Sequence, residues 1–138
     1  MRILVVSLMY PLPTNVARGT FVSDNVELFR SCGHEVKVVN PLPRMLKYQE
    51  TRRSTLTGVA RAPSTFKHGD VEVLVPRYWG LSGNPYPSIT IRSMKKIVRK
   101  VSMWLKEWRP EVIICHTLWP VAELANRLAK QWNIPWLS

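Results

Sequence analysis

Few features of this chain point to a membrane span, a metal centre or a nucleotide fingerprint. No stretch of the 138 residues approaches the roughly 18–20 consecutive apolar residues needed to cross a bilayer. Met1-Arg2 followed by Ile3–Tyr10 imitates a short signal peptide. No small-x-small cleavage site follows, however, and the β-branched run reads better as a buried first strand. Cysteine is scarce. Cys32 and Cys115 lie far apart, with no CxxC spacing and no His/Cys cluster, which argues against a metal site or a redox motif. Both are expected to be free, buried thiols in a reducing compartment. Neither GxGxxG nor Gly-Lys-Ser/Thr occurs, so the dinucleotide fingerprint and the P-loop are both missing. Acidic residues are few: nine against twenty Lys and Arg, a net charge of +11. Such a surface meets something anionic, and nucleic acid, anionic lipid or a phosphorylated small molecule would each fit.

What is present is strand and helix in alternation. The run RILVVSL (2–8) suits a strand covered on both faces. From Thr20 the period changes, with Phe21, Val22, Val26, Leu28 and Phe29 at helical spacing. Thr20 is placed to cap that helix, and Cys32-Gly33 to end it. EVKVVN (35–40) is a second strand, stopped by Pro41, which completes a parallel strand-helix-strand unit. Residues 41–70 form a long polar excursion carrying Arg44, Lys47, Arg52, Arg53, Arg61 and Lys67, with one short helix expected around Arg44–Arg53. Loops of this length within compact domains are usually functional or mobile. VEVLV (71–75) is a third strand, and the turn-rich WGLSGNPYPS (79–88) leads to a helix of about 89–108. Ile97, Val101, Trp104, Leu105 and Trp108 should face inward there, while Arg92, Lys95, Lys96, Arg99, Lys100 and Lys106 occupy much of the rest. EVIIC (111–115) is a fourth strand ending at His116. Pro120 opens a helix with Val121, Leu124, Ala125, Leu128 and Ala129 on its apolar side. Trp136-Leu137-Ser138 begins a fifth strand. The pattern indicates one domain, an α/β, Rossmann-like, doubly wound parallel sheet with helices on both faces.

Ligands of such sheets bind beyond the carboxyl ends of the strands, where connections diverge. Gly19 lies between the first strand and the first helix. A glycine there lets the backbone approach a phosphate, which the first helical N–H groups and the helix dipole would favour. It also suits a simple turn. Arg18 beside it could add a point contact. His116, at a strand's carboxyl end, is placed to bond a sugar hydroxyl or move a proton, or else to serve structure. Trp119 could stack on a sugar or close a helix staple. His34 reads as a surface residue, and His68 carries no functional reading. The basic helix is a solvated face, an anionic-membrane surface or a nucleic-acid stripe. Its aromatics fall at core spacing, which counts against stacking on bases.

Taken together, MRILVVSLMYPLPTNVARGTFVSDNVELFRSCGHEVKVVNP and RPEVIICHTLWPVAELANRLAKQWNIPWLS resemble the N-terminal domain of retaining family 4 glycosyltransferases of the GT-B architecture. The likeness lies in the Pro-containing loop, the glycine before helix one and the Gly-His-Glu-Val turn, then in the strand ending in histidine and the aromatic-Pro step. It covers both ends of the chain and leaves about 41–90 unmatched. The resemblance implies a nucleoside diphosphate sugar bound between two Rossmann-like domains, the N-terminal one holding the acceptor. Donor-phosphate contacts then fall to Gly19, Arg18 and Thr20, and the acceptor cleft to His116, Trp119 and Tyr10. It implies no metal and no cofactor. The chain departs from the pattern with Ile114 where relatives carry a second histidine, and with Ala122 where they often have glycine. It stops at Ser138, before the family's His-Gly pair.

The expectation is therefore a single acceptor-side domain over 1–138, broken off within its fifth strand, with the catalytic histidine and the donor-binding domain lying beyond Ser138. Its unfinished sheet edge should favour self-association. The parent enzyme is expected to be cytoplasmic, peripheral to an anionic membrane, and to act on a lipid-linked or envelope-glycan acceptor. This chain alone is expected to be inactive. The alternative is a non-catalytic α/β module that binds phosphorylated ligands or pairs with a separate catalytic subunit. A nucleic-acid partner rests on charge alone and is not expected.

Overall fold

A computed structural model describes residues 1–80, 87–117 and 119–138. The run RILVVS forms β1 (Arg2–Ser7), an interior strand whose edges pair parallel with β2 (Glu35–Val39) on one side and β7 (Val112–His116) on the other. The register runs from Arg2 opposite Glu35 to Val6 opposite Val39, and from Ile3 opposite Val112 to Ser7 opposite His116. β5 (Val71–Leu74) extends the sheet beyond β2, and β8 (Trp136–Leu137) extends it beyond β7, both parallel. β4 (Thr65–His68) closes the far edge antiparallel to β5, giving the order β4-β5-β2-β1-β7-β8. Two short strands, β3 (Leu42–Pro43) and β6 (Arg77–Tyr78), pair separately above the sheet.

Continuous burial of β1 follows from helices on both faces. Ile3, Val5, Val36, Val38, Val71 and Val73 pack against Val22 and Val26 of α1 (Thr20–Ser31). Leu4, Val6, Val39 and Leu74 face the opposite way, onto α2 (Pro87–Leu105) and α3 (Val121–Trp132). Burial of each such aliphatic side chain contributes about 1.5–3 kcal/mol. The expected apolar side of α3, Val121, Leu124, Ala125, Leu128 and Ala129, is buried throughout. A left-handed Asn133 ends that helix as Ile134 N–H donates to the Ala129 carbonyl.

Several expectations need correction. The excursion after Pro41 carries a 3-10 turn at Lys47–Arg52 rather than an α-helix, and a second at Ser54–Leu56. The β4–β5 hairpin was not anticipated, although its Gly69-Asp70 connection is a two-residue hairpin signal. Phe21 and Leu28 lie outside the buried stripe of α1 and are exposed, whereas Val22, Ser23 and Val26 are buried and Phe29 packs partly against the core. Trp104 and Trp108 pack only partly into the core. Both rings lie near the Lys37 ammonium, at 5.4 and 5.3 Å, while that ammonium pairs with Glu72 at 2.8 Å. Cys32 is exposed and Cys115 buried. The expected turn-rich stretch falls largely on residues 81–86, outside the described residues.

Gly19, not Thr20, occupies the cap of α1, in the left-handed region at φ 60°, with no side-chain cap bond. Its backbone is pressed against β1's exit: a Cβ there would lie 2.5 Å from the Met9 carbonyl carbon and the Tyr10 nitrogen. Gly33, at φ 89°, has open space around the same position. Gly33→Ala should therefore cost about 1 kcal/mol for the left-handed backbone alone. Gly19→Ala adds a clash with main chain and should cost about 3 kcal/mol or more. Urea denaturation of the two variants checks this, and equal losses would contradict it.

Candidate functional site at the carboxyl edge

The chain leaves β1 toward β2 by way of α1 on one face, and leaves β7 toward β8 by way of α3 on the other. The connections therefore part company at the carboxyl ends of β1 and β7, and a crevice at such a divergence is where ligands of open α/β sheets bind. Gly19, Thr20 and Phe21 stand on one side of it and His116 on the other. The Phe21 and His116 rings meet edge to face, 6.3 Å between centroids. Helix bonding starts with Val22 N–H and Ser23 N–H donating to the Gly19 carbonyl. Among the described residues no oxygen accepts from the main-chain N–H of Gly19, Thr20 or Phe21. These are the unmatched donors that every helix start presents, at the positive end of its dipole.

His116 is half-buried, and its Nε2 is enclosed without a hydrogen-bond partner among the described residues. Burial disfavours the imidazolium and holds the ring's pKa below its ordinary value. Neighbouring Cys115 donates from Sγ to the Thr117 carbonyl at 3.0 Å, and burial pushes its thiol up to about 11. Trp119, 54% exposed, lies on the solvent side of the same loop.

Arg18 sits at the other end of this edge and is only 7% exposed. Its Nη2 donates to the Leu8 carbonyl at 2.5 Å, its Nη1 to the Tyr10 carbonyl and to Asn40 Oδ1, and its Nε to the Thr55 carbonyl. Asn40, fully buried, completes a network. Its Nδ2 donates to the Ser7 carbonyl at 2.7 Å, and its main-chain N–H to the Leu74 carbonyl at 2.8 Å. The exits of β1, β2 and β5 are thus tied through one amide and one guanidinium. Thr14 and Asn15 extend the tie by donating to the Gly58 and Thr57 carbonyls, which pins the 54–58 segment over the first loop. Between that segment and the strand ends lies a cavity of about 360 Å³. Arg18, Arg52, Arg53, Gln49, Thr55 and Tyr78 line it alongside Leu8, Met9, Pro41, Leu42, Pro43 and Leu56. Burial lowers the Arg18 pKa to about 10 and raises the Tyr78 hydroxyl to about 12.

The edge therefore brings together Gly19, Thr20 and His116, with Arg18 one loop away. Four of Arg18's five N–H donors are engaged by the chain's own oxygens, so its first task is structural. Tyr10 does not reach the crevice. Its ring is fully buried on the α1 face, edge-on to His68 at 5.4 Å, because the chain turns inward after Met9. Enclosure leaves the Tyr10 hydroxyl without a partner among the described residues and raises its pKa. Asn40 and Tyr78 carried no site reading in the sequence, and Arg52 and Arg53 appeared there only as part of a polar excursion. An asparagine closing an otherwise apolar strand was the available signal for the first.

The family described as glycosyl transferase 4-like domain matches residues 18–138. Among solved structures, the C-terminal domain of a hydrogenase from Pyrococcus furiosus is similar, with a TM-score of 0.52 at 12% identity. That likeness covers 99% of this chain and 88% of the other, and at such identity it concerns the fold alone. Comparison with curated proteins gives no match.

The depressed pKa of His116 has a consequence for stability. An unfolded histidine takes up a proton near 6.5, the folded ring only at lower pH. The stability linked to the neutral ring is complete above about 6.5 and is lost as pH falls from there through the folded pKa. Urea midpoints should accordingly fall between pH 7 and pH 5, and less steeply in His116→Gln. Identical slopes in the two proteins would contradict the assignment.

Proposed function

Because the chain belongs to the glycosyl transferase 4-like domain family, we propose that it is the acceptor-side domain of a retaining glycosyltransferase that uses a nucleoside diphosphate sugar. The observation that carries the reading is the start of α1. Three amides without an acceptor among the described residues lie at the point of divergence, opposite a neutral histidine. The departing diphosphate of a nucleotide sugar needs donors fixed in place before charge develops on it. Helix-start amides supply them without reorganisation. Gly19 makes the arrangement possible by letting the helix begin against the Met9–Tyr10 backbone. With its ring neutral, His116 can accept a hydrogen bond from a sugar hydroxyl or donate one to a sugar oxygen, according to tautomer. Arg18 acts in this reading by holding the loop, and Trp119 offers an exposed ring face for a sugar.

The acceptor is proposed to be lipid-linked or part of an envelope glycan, with the enzyme cytoplasmic and peripheral to an anionic membrane. Arg92, Lys95, Lys96, Arg99 and Lys100 are all exposed on α2, and exposed Ile89 and Met103 lie on the same helix. A basic face with apolar residues among its charges suits an anionic interface. No helix of the described residues is long and apolar enough to cross a membrane.

Turnover is the test. The natural polypeptide carrying this chain, supplied with nucleotide sugars and a membrane-lipid extract, should release nucleoside diphosphate. Its product should keep the donor's anomeric configuration when read by NMR. An absence of release across uridine, guanosine, adenosine and thymidine diphosphate sugars, or an inverted product, would overturn the proposal.

A further inference from the structure

We propose that the cavity between the 49–56 segment and the strand ends is a binding site for a phosphate group, carried by the molecule to be glycosylated. Only the words "to be glycosylated" rest on the transferase reading; the anion site stands on the cavity itself. Arg18 is a buried cation whose four engaged donors all meet neutral oxygens, and no ion pair among the described residues includes it. Burying a charge without a counter-charge is costly, and neutral oxygens offset that only in part. One N–H of Nη2 remains beyond those four contacts.

Arg52, ending the first 3-10 turn, and Arg53, extended between the two turns, also line this cavity, and they too are absent from the ion pairs of the described residues. Three arginines among the residues that line one 360 Å³ cavity, with no Asp or Glu among the described residues of that lining, favour a site for an anion. Arginine's planar fork matches phosphate oxygens in pairs, and the charge of three arginines suits a dianion better than a single carboxylate. Leu8, Leu42 and Leu56 line the same cavity, so the phosphate is expected as an ester with a carbon chain against these apolar residues. The lowered Arg18 pKa agrees with a cation held away from water.

The test uses the 138-residue chain, with glycerol 3-phosphate and dihexanoyl phosphatidic acid as probes and acetate as the single-charge control. Arg18 also holds the fold, so the variant of choice is the exposed pair, Arg52→Gln with Arg53→Gln, its fold checked by the amide spectrum. The phosphate esters should bind saturably at one site, moving the methyl resonances of Leu8, Leu42 and Leu56. Acetate should bind at least about tenfold more weakly, and the double variant should lose about tenfold or more in phosphate affinity. Tighter binding of the phosphatidic acid assigns the phosphate to a lipid headgroup, and equal binding to a soluble ester; either supports the site. Absence of saturation, shifts confined to Lys95–Lys100, or unchanged affinity in the double variant would overturn it. The readout is binding and not turnover, so its failure would leave sugar transfer standing, and failed turnover would leave the anion site standing.

Discussion

A guanidinium buried without a carboxylate governs the working edge of this domain. Arg18 reaches back across its own loop to the Leu8 and Tyr10 carbonyls, sideways to Asn40 and upward to Thr55. Removing one member of a buried, hydrogen-bonded charged set commonly costs about 3–5 kcal/mol, because the remaining groups stay enclosed and unmatched. Such a network holds the exit of β1 in one conformation. The same loop seats Gly19 against Met9 and so sets where α1 begins. Together with Gly19, Thr14 and Asn15, this side chain sets the helix-start amides and the roof formed by residues 54–58.

The sheet supplies the frame on which that edge is built. Helices on both faces suit the apolar Ile3–Val6 stretch of β1, and α1 and α3 leave the sheet on opposite faces. Function and stability then draw on different residues of the same loops. Asn40 and Arg18 hold strand ends together, whereas the roles proposed for His116, the start of α1 and the exposed Arg52 and Arg53 are in binding. Polar groups carry both roles because strand ends are where backbone oxygens lack ladder partners.

Much of the frame was legible in the sequence because its signals are local. The apolar runs 2–8, 35–40, 71–75 and 111–115 became β1, β2, β5 and β7, shifted by a residue or two, and the apolar side of α3 was read residue by residue. Gly19 and His116 were legible from position, being residues at a helix start and a strand end. Long-range closure was not. Nothing near Arg18 in sequence announces that Thr55 and Asn40 are its acceptors, 37 and 22 residues away. The inward turn of Tyr10 likewise depends on the core that receives it. The excursion 41–70 carried too little periodicity to reveal that its middle is pinned by Thr14 and Asn15. Its scattered arginines were visible one by one, but their convergence on a cavity was not.

Side-chain hydrogen exchange measured by NMR tests the central claim most directly. If Arg18 and Asn40 form the enclosed tie described, the Arg18 Nε–H and the Asn40 amide protons should exchange as slowly as the backbone amides of β1, which require global opening. The exposed Arg52 Nε–H should exchange quickly in the same sample and serve as the internal reference. Exchange of Arg18 and Asn40 at the rate of Arg52 would mean that the tie is open to water, and the account of this edge would fail.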